Sequence, residues 1–404
     1  MDTPQTLLVT LTGHDRPGVT AGLFGALAGQ PVEVLDVEQL VVRGRLVLAV
    51  LLDLGESDPV EVRRVVRRAA ADLDMDVETV PGASEDDARR HARVHVTVLG
   101  APLHPATVAV LADTIAARGG NIDRIRRVAA YPVTAIVLDC SGADPDDLRH
   151  ALAVEATAQG VDVAVQRAGL GRRGQLLVVM DVDSTLIQDE VIDLLARHAG
   201  ASEEVERITA AAMAGELDFT ESLHARVALL EGLPESVLAQ VREEIELTPG
   251  ARTLCRTLNR LGYRVALVSG GFTQVIEPIA AELGVHALRA NTLEVVDGRL
   301  TGRVVGEVVD RAGKRRALEH FAAEHGLPLS RTIAIGDGAN DLDMLDAAGL
   351  GVAFNAKPMV ASAADASVSV PYLDSVLYLL GVTREDVEAA DRDDGLEPSA
   401  PPVR

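Results

Sequence analysis

The stretch Leu176-Leu177-Val178-Val179-Met180-Asp181-Val182-Asp183-Ser184-Thr185 constrains the rest of this chain more than any other. Its apolar run has no polar interruption, as in a strand buried on both faces, and such strands belong to parallel sheets covered by helices. The run ends in two carboxylates one residue apart, followed by two hydroxyls. Open α/β sheets bind ligands at the carboxyl ends of their strands, which is where Asp181 and Asp183 emerge. Side chains at i and i+2 of extended chain point the same way, and a turn beyond the strand lets the two approach one point from different sides. Taken alone, the string also fits an acidic turn after a strand.

Two further strand ends answer to it. Val265–Val268 runs into Ser269-Gly270-Gly271, a hydroxyl and small residues whose amides can approach an oxyanion closely. Thr332–Gly336 runs into Asp337-Gly338-Ala339-Asn340-Asp341, a cluster of side-chain oxygens. Between them, Lys314 follows the turn Asp310-Arg311-Ala312-Gly313. In a parallel sheet these ends share one edge, so Asp181, Asp183, Ser269, Lys314, Asp337 and Asp341 can converge. Crowded carboxylates suppress one another's ionisation unless cations relieve them. Oxygen ligands without His or Cys favour Mg²⁺ over zinc or copper. Such a set suits phosphoryl transfer. One carboxylate attacks phosphorus, the lysine, hydroxyl and amides hold the phosphoryl oxygens, and the second carboxylate moves the proton.

In this order the motifs resemble those of the haloacid dehalogenase-like phosphatases. Over about residues 176–380 the resemblance is nearest to the branch acting on phosphoserine. It implies that Asp181 is the nucleophile and Asp183 the general acid/base. It further implies that Asp181, the Asp183 carbonyl and Asp337 hold Mg²⁺ with Asp341 in support, and that Ser269, Gly270, Lys314 and Asn340 take the phosphate. By the same resemblance Glu190 faces the substrate amine, Arg226 its carboxylate, and Met213 and Phe219 line the pocket. The implied activity is hydrolysis of phosphoserine to serine, the last step of serine biosynthesis. A phosphatase for phosphothreonine or homoserine phosphate is the alternative within the class. An amino-acid-binding regulatory protein is the alternative outside it.

The preceding half reads as two units of strand, helix, strand, strand, helix, strand, an internal repeat of architecture. The order of elements and the turn Gly13-His14-Asp15-Arg16-Pro17-Gly18 resemble an ACT domain, which implies an amino-acid site at Gly13, Asp15 and Gly18. The second unit carries Ala101-Pro102-Leu103-His104-Pro105 instead and so departs from that pattern. The expected organisation is an ACT-like unit over 1–82, a second over 92–167, and a phosphatase domain over 175–384. These are two ferredoxin-like α+β domains before a doubly wound, mainly parallel Rossmann-like α/β sheet with a helical cap at about 190–248. Pro81–Asp87 reads as a linker and Ala168–Gly174 as a hinge. The acidic, Pro-containing tail 385–404 is expected to be disordered.

Composition narrows the partners. A net charge of −23 repels nucleic acid and anionic lipid, and 2% aromatics leave little for base stacking. Cys140 and Cys255 have no metal-ligand spacing and read as buried thiols in a reducing compartment. With no leader and no membrane-length apolar run, cytoplasm is expected. The expected partners are phosphoserine as substrate, serine as effector, and a second copy in a homodimer.

Overall fold

The computed structural model describes residues 5–83, 93–168, 177–213 and 216–397, apart from the side chains of Gln5, Ala83 and Met213. The chain divides into two compact units, Met1–Arg89 and Arg90–Arg404.

In the first unit β1 (Gln5–His14), β2 (Glu33–Val42), β3 (Arg45–Asp53) and β4 (Asp76–Ala83) form an antiparallel sheet in the order β2-β3-β1-β4. Alternation in β3 sends Leu46, Leu48, Val50 and Leu52 to one face, where Leu23 and Leu27 of the helix Val19–Leu27 and Val62 and Val66 of the helix Pro59–Asp72 meet them. The expected linker begins later than its composition suggests. Pro81, Gly82 and Ala83 still pair with Leu7, Thr6 and Gln5, because the proline lies on an edge strand whose outer side needs no donor. Residues 84–87 of that linker, and 169–174 of the expected hinge, lie outside the described residues.

In the second unit the repeat comprises β5 (Val94–Gly100), β6 (Asn121–Ala129), β7 (Thr134–Ser141) and β8 (Asp162–Arg167), with helices Pro105–Ala117 and Pro145–Gln159. It is continuous with the sheet that follows. The strands β9 (Leu177–Met180), β10 (Arg264–Phe272), β11 (Ala287–Val296), β12 (Arg299–Val305), β13 (Thr332–Gly336), β14 (Leu350–Phe354) and β15 (Ala366–Val368) complete eleven strands in the order β12-β11-β10-β9-β13-β14-β15-β8-β5-β7-β6. The pairs from β11 through β15 are parallel, and β8 closes antiparallel on β15. Asp162 of β8 accepts hydrogen bonds from both the N–H and the hydroxyl of Ser369, tying the repeat to the edge of the parallel sheet.

β9 sits between β10 and β13, where the chain order reverses direction across the sheet. Its side chains alternate between two cores. Val178 and Met180 pack with Leu254, Leu258, Val275 and Ile276, whereas Leu177 and Val179 pack with Leu318, Phe321 and Met344. Full burial of each such side chain stabilises by about 1.5–3 kcal/mol, which is why the strand is apolar throughout. The helices Val191–Ala199, Ser202–Met213, Phe219–Ala228 and Ser236–Glu244 follow β9 directly. The hairpin of β11 and β12 turns at Asp297-Gly298, both in the left-handed region that a type I′ turn requires.

The tail departs from expectation. Arg384–Asp393 is helical, with Val387 buried and Asp391 held by Arg256 and Arg260. Its acidic composition conceals charges spaced i and i+4, Arg384 to Glu388 and Glu388 to Arg392, and partners elsewhere in the chain. Residues 398–404 lie outside the described residues. Cys140 and Cys255 are free and buried, and burial pushes both thiols up to about 12. No helix among the described residues is long and apolar enough to cross a membrane.

Candidate active site

The parallel strands deliver their polar residues to one edge. The N–H of Asp181 still donates to the Ile335 carbonyl of β13 at 2.9 Å, so the ladder extends to the candidate nucleophile. Asp181 Oδ1 accepts the Val182 N–H at 2.7 Å. Its Oδ2 lies 2.6 Å from Lys314 Nζ, which also donates to Asp341 Oδ1 at 2.7 Å. Lys314 sits in the first turn of the helix Arg311–Glu324, whose N-cap Asp310 accepts the Gly313 N–H. Asp181, Lys314 and Asp341 are all buried, with Asp341 at 0% exposure and Lys314 at 1%. Burial opposes the ammonium, but Asp181 and Asp341 outweigh it and hold Lys314 protonated.

Asp337 completes a cluster. Its Oδ1 accepts the Thr185 hydroxyl at 3.0 Å. One oxygen from each of Asp181, Asp337 and Asp341 lies within 4.8 Å of the others. Burial, then the Asp341 charge, raises the carboxyl of Asp181, and the same causes push Asp337 up to about 6. One ammonium cannot balance three crowded carboxylates. The unmet charge and the all-oxygen donor set both suit a hard divalent cation.

Asp183 faces elsewhere. Its Oδ2 accepts the Ser269 hydroxyl at 2.8 Å and its Oδ1 the Val191 N–H at 2.9 Å. Ser269 Oγ in turn accepts the Gly271 N–H at 2.7 Å. A β-carbon on Gly271 would stand 2.9 Å from Asp183 Oδ2, so a side chain there would displace that carboxylate, and one on Gly270 would press at 3.2 Å on Phe219 Cζ. Asn340 lies against Gly338, whose N–H donates to Asp341 Oδ2 at 3.0 Å.

Glu190 immediately precedes the helix Val191–Ala199 and accepts the Ser184 hydroxyl at 3.0 Å. Its carboxylate keeps a solvent-facing side, yet the protein crowded around it, then the Asp183 charge, pushes it up to about 7. Arg226 is half-buried on the helix Phe219–Ala228, where its Nε–H donates to the Ser222 carbonyl at 3.3 Å. Burial lowers its pKa, and the charges of Glu190 and Asp193 oppose that shift. The side chain of Met213 lies outside the described residues.

In the first unit, Gly13 is packed so closely that a β-carbon would meet Met75 Sδ at 2.4 Å. The exposed Asp15 donates its N–H to the Gly44 carbonyl at 2.8 Å. Gly18 takes a φ of +97° to start the helix Val19–Leu27, a conformation that favours glycine.

Sequence reasoning passes over Asn291. This buried residue of β11 donates to the Gly270 carbonyl at 2.7 Å and accepts the Val309 N–H at 2.9 Å, linking the loop after Ser269 to the segment before Lys314. An asparagine inside a strand pattern is the signal that could have found it. Thr185 enters the sequence reading only as part of a motif, and its bond to Asp337 spans elements that only the fold brings together.

Residues 178–346 match the model of the haloacid dehalogenase-like hydrolases, and residues 5–80 and 92–166 match models of the ACT domain. The chain is 60% identical over 387 residues to a phosphoserine phosphatase of Streptomyces coelicolor, covering 96% of this chain and 94% of that protein. It is 50% identical over 402 residues to a phosphoserine phosphatase of Mycobacterium tuberculosis, covering 98% of this chain and 97% of that protein. Among solved structures, a probable phosphoserine phosphatase from Vibrio cholerae in unliganded form superposes with a TM-score of 0.58 at 35% identity, covering 76% of this chain and 91% of that one.

Proposed function

This chain belongs to the phosphoserine phosphatase family of haloacid dehalogenase-like hydrolases, and from that premise we propose how its own residues hydrolyse O-phospho-L-serine to L-serine and phosphate. The observation that carries the assignment of roles is the split between two aspartates two residues apart. Asp181 points to Lys314 and Asp183 to Ser269.

Asp181 Oδ attacks phosphorus and the serine oxygen leaves, taking a proton from the Asp183 carboxyl. The result is an aspartyl-phosphate on Asp181. Asp183, now a carboxylate, takes a proton from the water that attacks phosphorus, and the P–O bond to Asp181 breaks to release phosphate. Lys314, the Ser269 hydroxyl and the Gly270 N–H hold and stabilise the phosphoryl oxygens, with Asn340 beside them. Asp181, the Asp183 carbonyl and Asp337 would hold Mg²⁺, supported by Asp341. The ion supplies further charge neutralisation when bound.

Recognition of the amino acid falls to the cap, where Glu190 pairs with the ammonium and Arg226 takes the carboxylate. Phe219 and Met213 would line the space between them. The ACT-like repeats support amino-acid regulation, with Gly13, Asp15 and Gly18 as the site and serine as effector. A homodimer in the cytoplasm completes the reading.

Phosphate release from phosphoserine, phosphothreonine and homoserine phosphate, with Mg²⁺ and with a chelator, tests the substrate and the ion together. Phosphoserine should be preferred and chelation should abolish turnover. Persistent release by pure Asp181→Asn would remove that residue as nucleophile. Calorimetry of the full chain should detect serine binding that Asp15→Asn weakens. No binding by the wild type would leave the repeats as scaffolds.

A further inference from the structure

Ser184 follows Asp183 with a φ of +56°, in the left-handed region. A glycine would adopt that backbone freely, whereas an L side chain there is strained. The side chain is nonetheless used. Its hydroxyl donates to Glu190 Oε1 at 3.0 Å, while its N–H donates to the Asp189 carbonyl at 3.3 Å. The turn between the end of β9 and the first cap helix is therefore crossed by one side-chain and one backbone hydrogen bond from the same residue. A third bond, from the Val191 N–H to Asp183 Oδ1, fixes the start of that helix. The Glu190 carboxylate also faces the negative charge of Asp183. An untethered glutamate would swing away from that charge towards solvent. The Ser184 hydroxyl, donating to Oε1, holds the carboxylate in place without setting a second charge beside it.

We propose that Ser184 is a positioning residue for substrate selection: its hydroxyl aims the Glu190 carboxylate at the ammonium group of the bound amino-acid phosphate. The proposal rests on the reading of Glu190 given above, and its test separates the two. 3-Phosphoglycerate carries a hydroxyl where phosphoserine carries the ammonium and is otherwise the same length with the same carboxylate. The readout is the ratio of kcat/KM for phosphoserine to that for 3-phosphoglycerate, in the full-length enzyme with Mg²⁺.

Ser184→Gly relieves the backbone and Ser184→Ala keeps its strain, but both remove the hydroxyl. Each should lower the ratio by about three- to tenfold, mainly through KM for phosphoserine. Glu190→Gln should lower it further, and adding Ser184→Gly to Glu190→Gln should then change little. If Glu190→Gln lowers the ratio and neither serine variant does, the positioning role is overturned while Glu190 keeps its own. If Glu190→Gln leaves the ratio intact, the reading of Glu190 fails and the proposal falls with it. Equal losses on both substrates in the serine variants would show that the hydroxyl serves the fold, and would also overturn the proposal.

Discussion

Replacing Lys314 with methionine tests the electrostatics of the site most directly, because its length is similar and its charge is gone. Nζ lies 2.6 Å from Asp181 and 2.7 Å from Asp341, and all three groups are buried. At an effective dielectric of about 20, each contact carries roughly 6 kcal/mol of gross attraction. Desolvation of the lysine offsets several kcal/mol of this, so the net worth of the set is much smaller than the sum. Removing one partner leaves two uncompensated carboxylates, which costs about 3–5 kcal/mol, limited by their ability to take up a proton. Melting of the metal-free phosphatase unit should fall by on the order of 10 °C. Mg²⁺ should recover more of that loss in Lys314→Met than it adds to the wild type, since it relieves the same repulsion. Loss of a cation facing the phosphoryl oxygens should lower kcat by about 10²–10³. Scanning calorimetry with and without Mg²⁺, and phosphate release at saturating phosphoserine, measure the two effects. A variant melting within about 2 °C of the wild type and turning over within about threefold of it would refute the reasoning.

Arg226→Ala should raise KM for phosphoserine by about tenfold or more. The loss should be smaller on phosphoethanolamine, which lacks the carboxylate, and steady-state kinetics on both esters would expose equal losses. Burial holds the Asp162 carboxyl above its ordinary value of 3.8, and the Ser369 hydrogen bonds offset this only in part. A folded pKa above the unfolded one means stability that is present below 3.8 and lost as pH rises through the folded value. Asp162→Asn, which keeps an acceptor, should therefore melt above the wild type at neutral pH and draw level at about pH 3.5 in a pH series. Asp391 has the opposite sign: burial would raise it, but the hydrogen bonds from Arg256 and Arg260 prevail and hold it low. Asp391→Ala should cost about 1–2 kcal/mol at pH 7 in urea denaturation, with the difference closing as pH falls below about 4.

The apolar run before Asp181 was legible because its chemistry is local. Four consecutive side chains buried on alternating faces must all be apolar, whatever covers them. The same holds for the strand ends at Ser269 and Asp337, and for the Asp297-Gly298 hairpin, whose backbone angles select their residues. Parallel pairing then implied a common edge where Asp181, Ser269 and Asp337 could converge, while Lys314, on a helix, joined them through the order of the motifs. Tertiary structure decided where each polar group points and which distant segments meet. No spacing rule says that Asp183 turns to Ser269 while Asp181 turns to Lys314, or that Asn291 joins two loops. The tail misled for a related reason. Its helix is held by Arg256 and Arg260, more than a hundred residues away, so a local reading found only acid and proline. The second repeat is a recognisable ACT unit, but that β8 joins it antiparallel to the edge of the parallel sheet, with Asp162 holding Ser369, was decided by tertiary structure. The sequence placed both carboxylates of the opening motif at the strand end, and the fold assigned them their different neighbours.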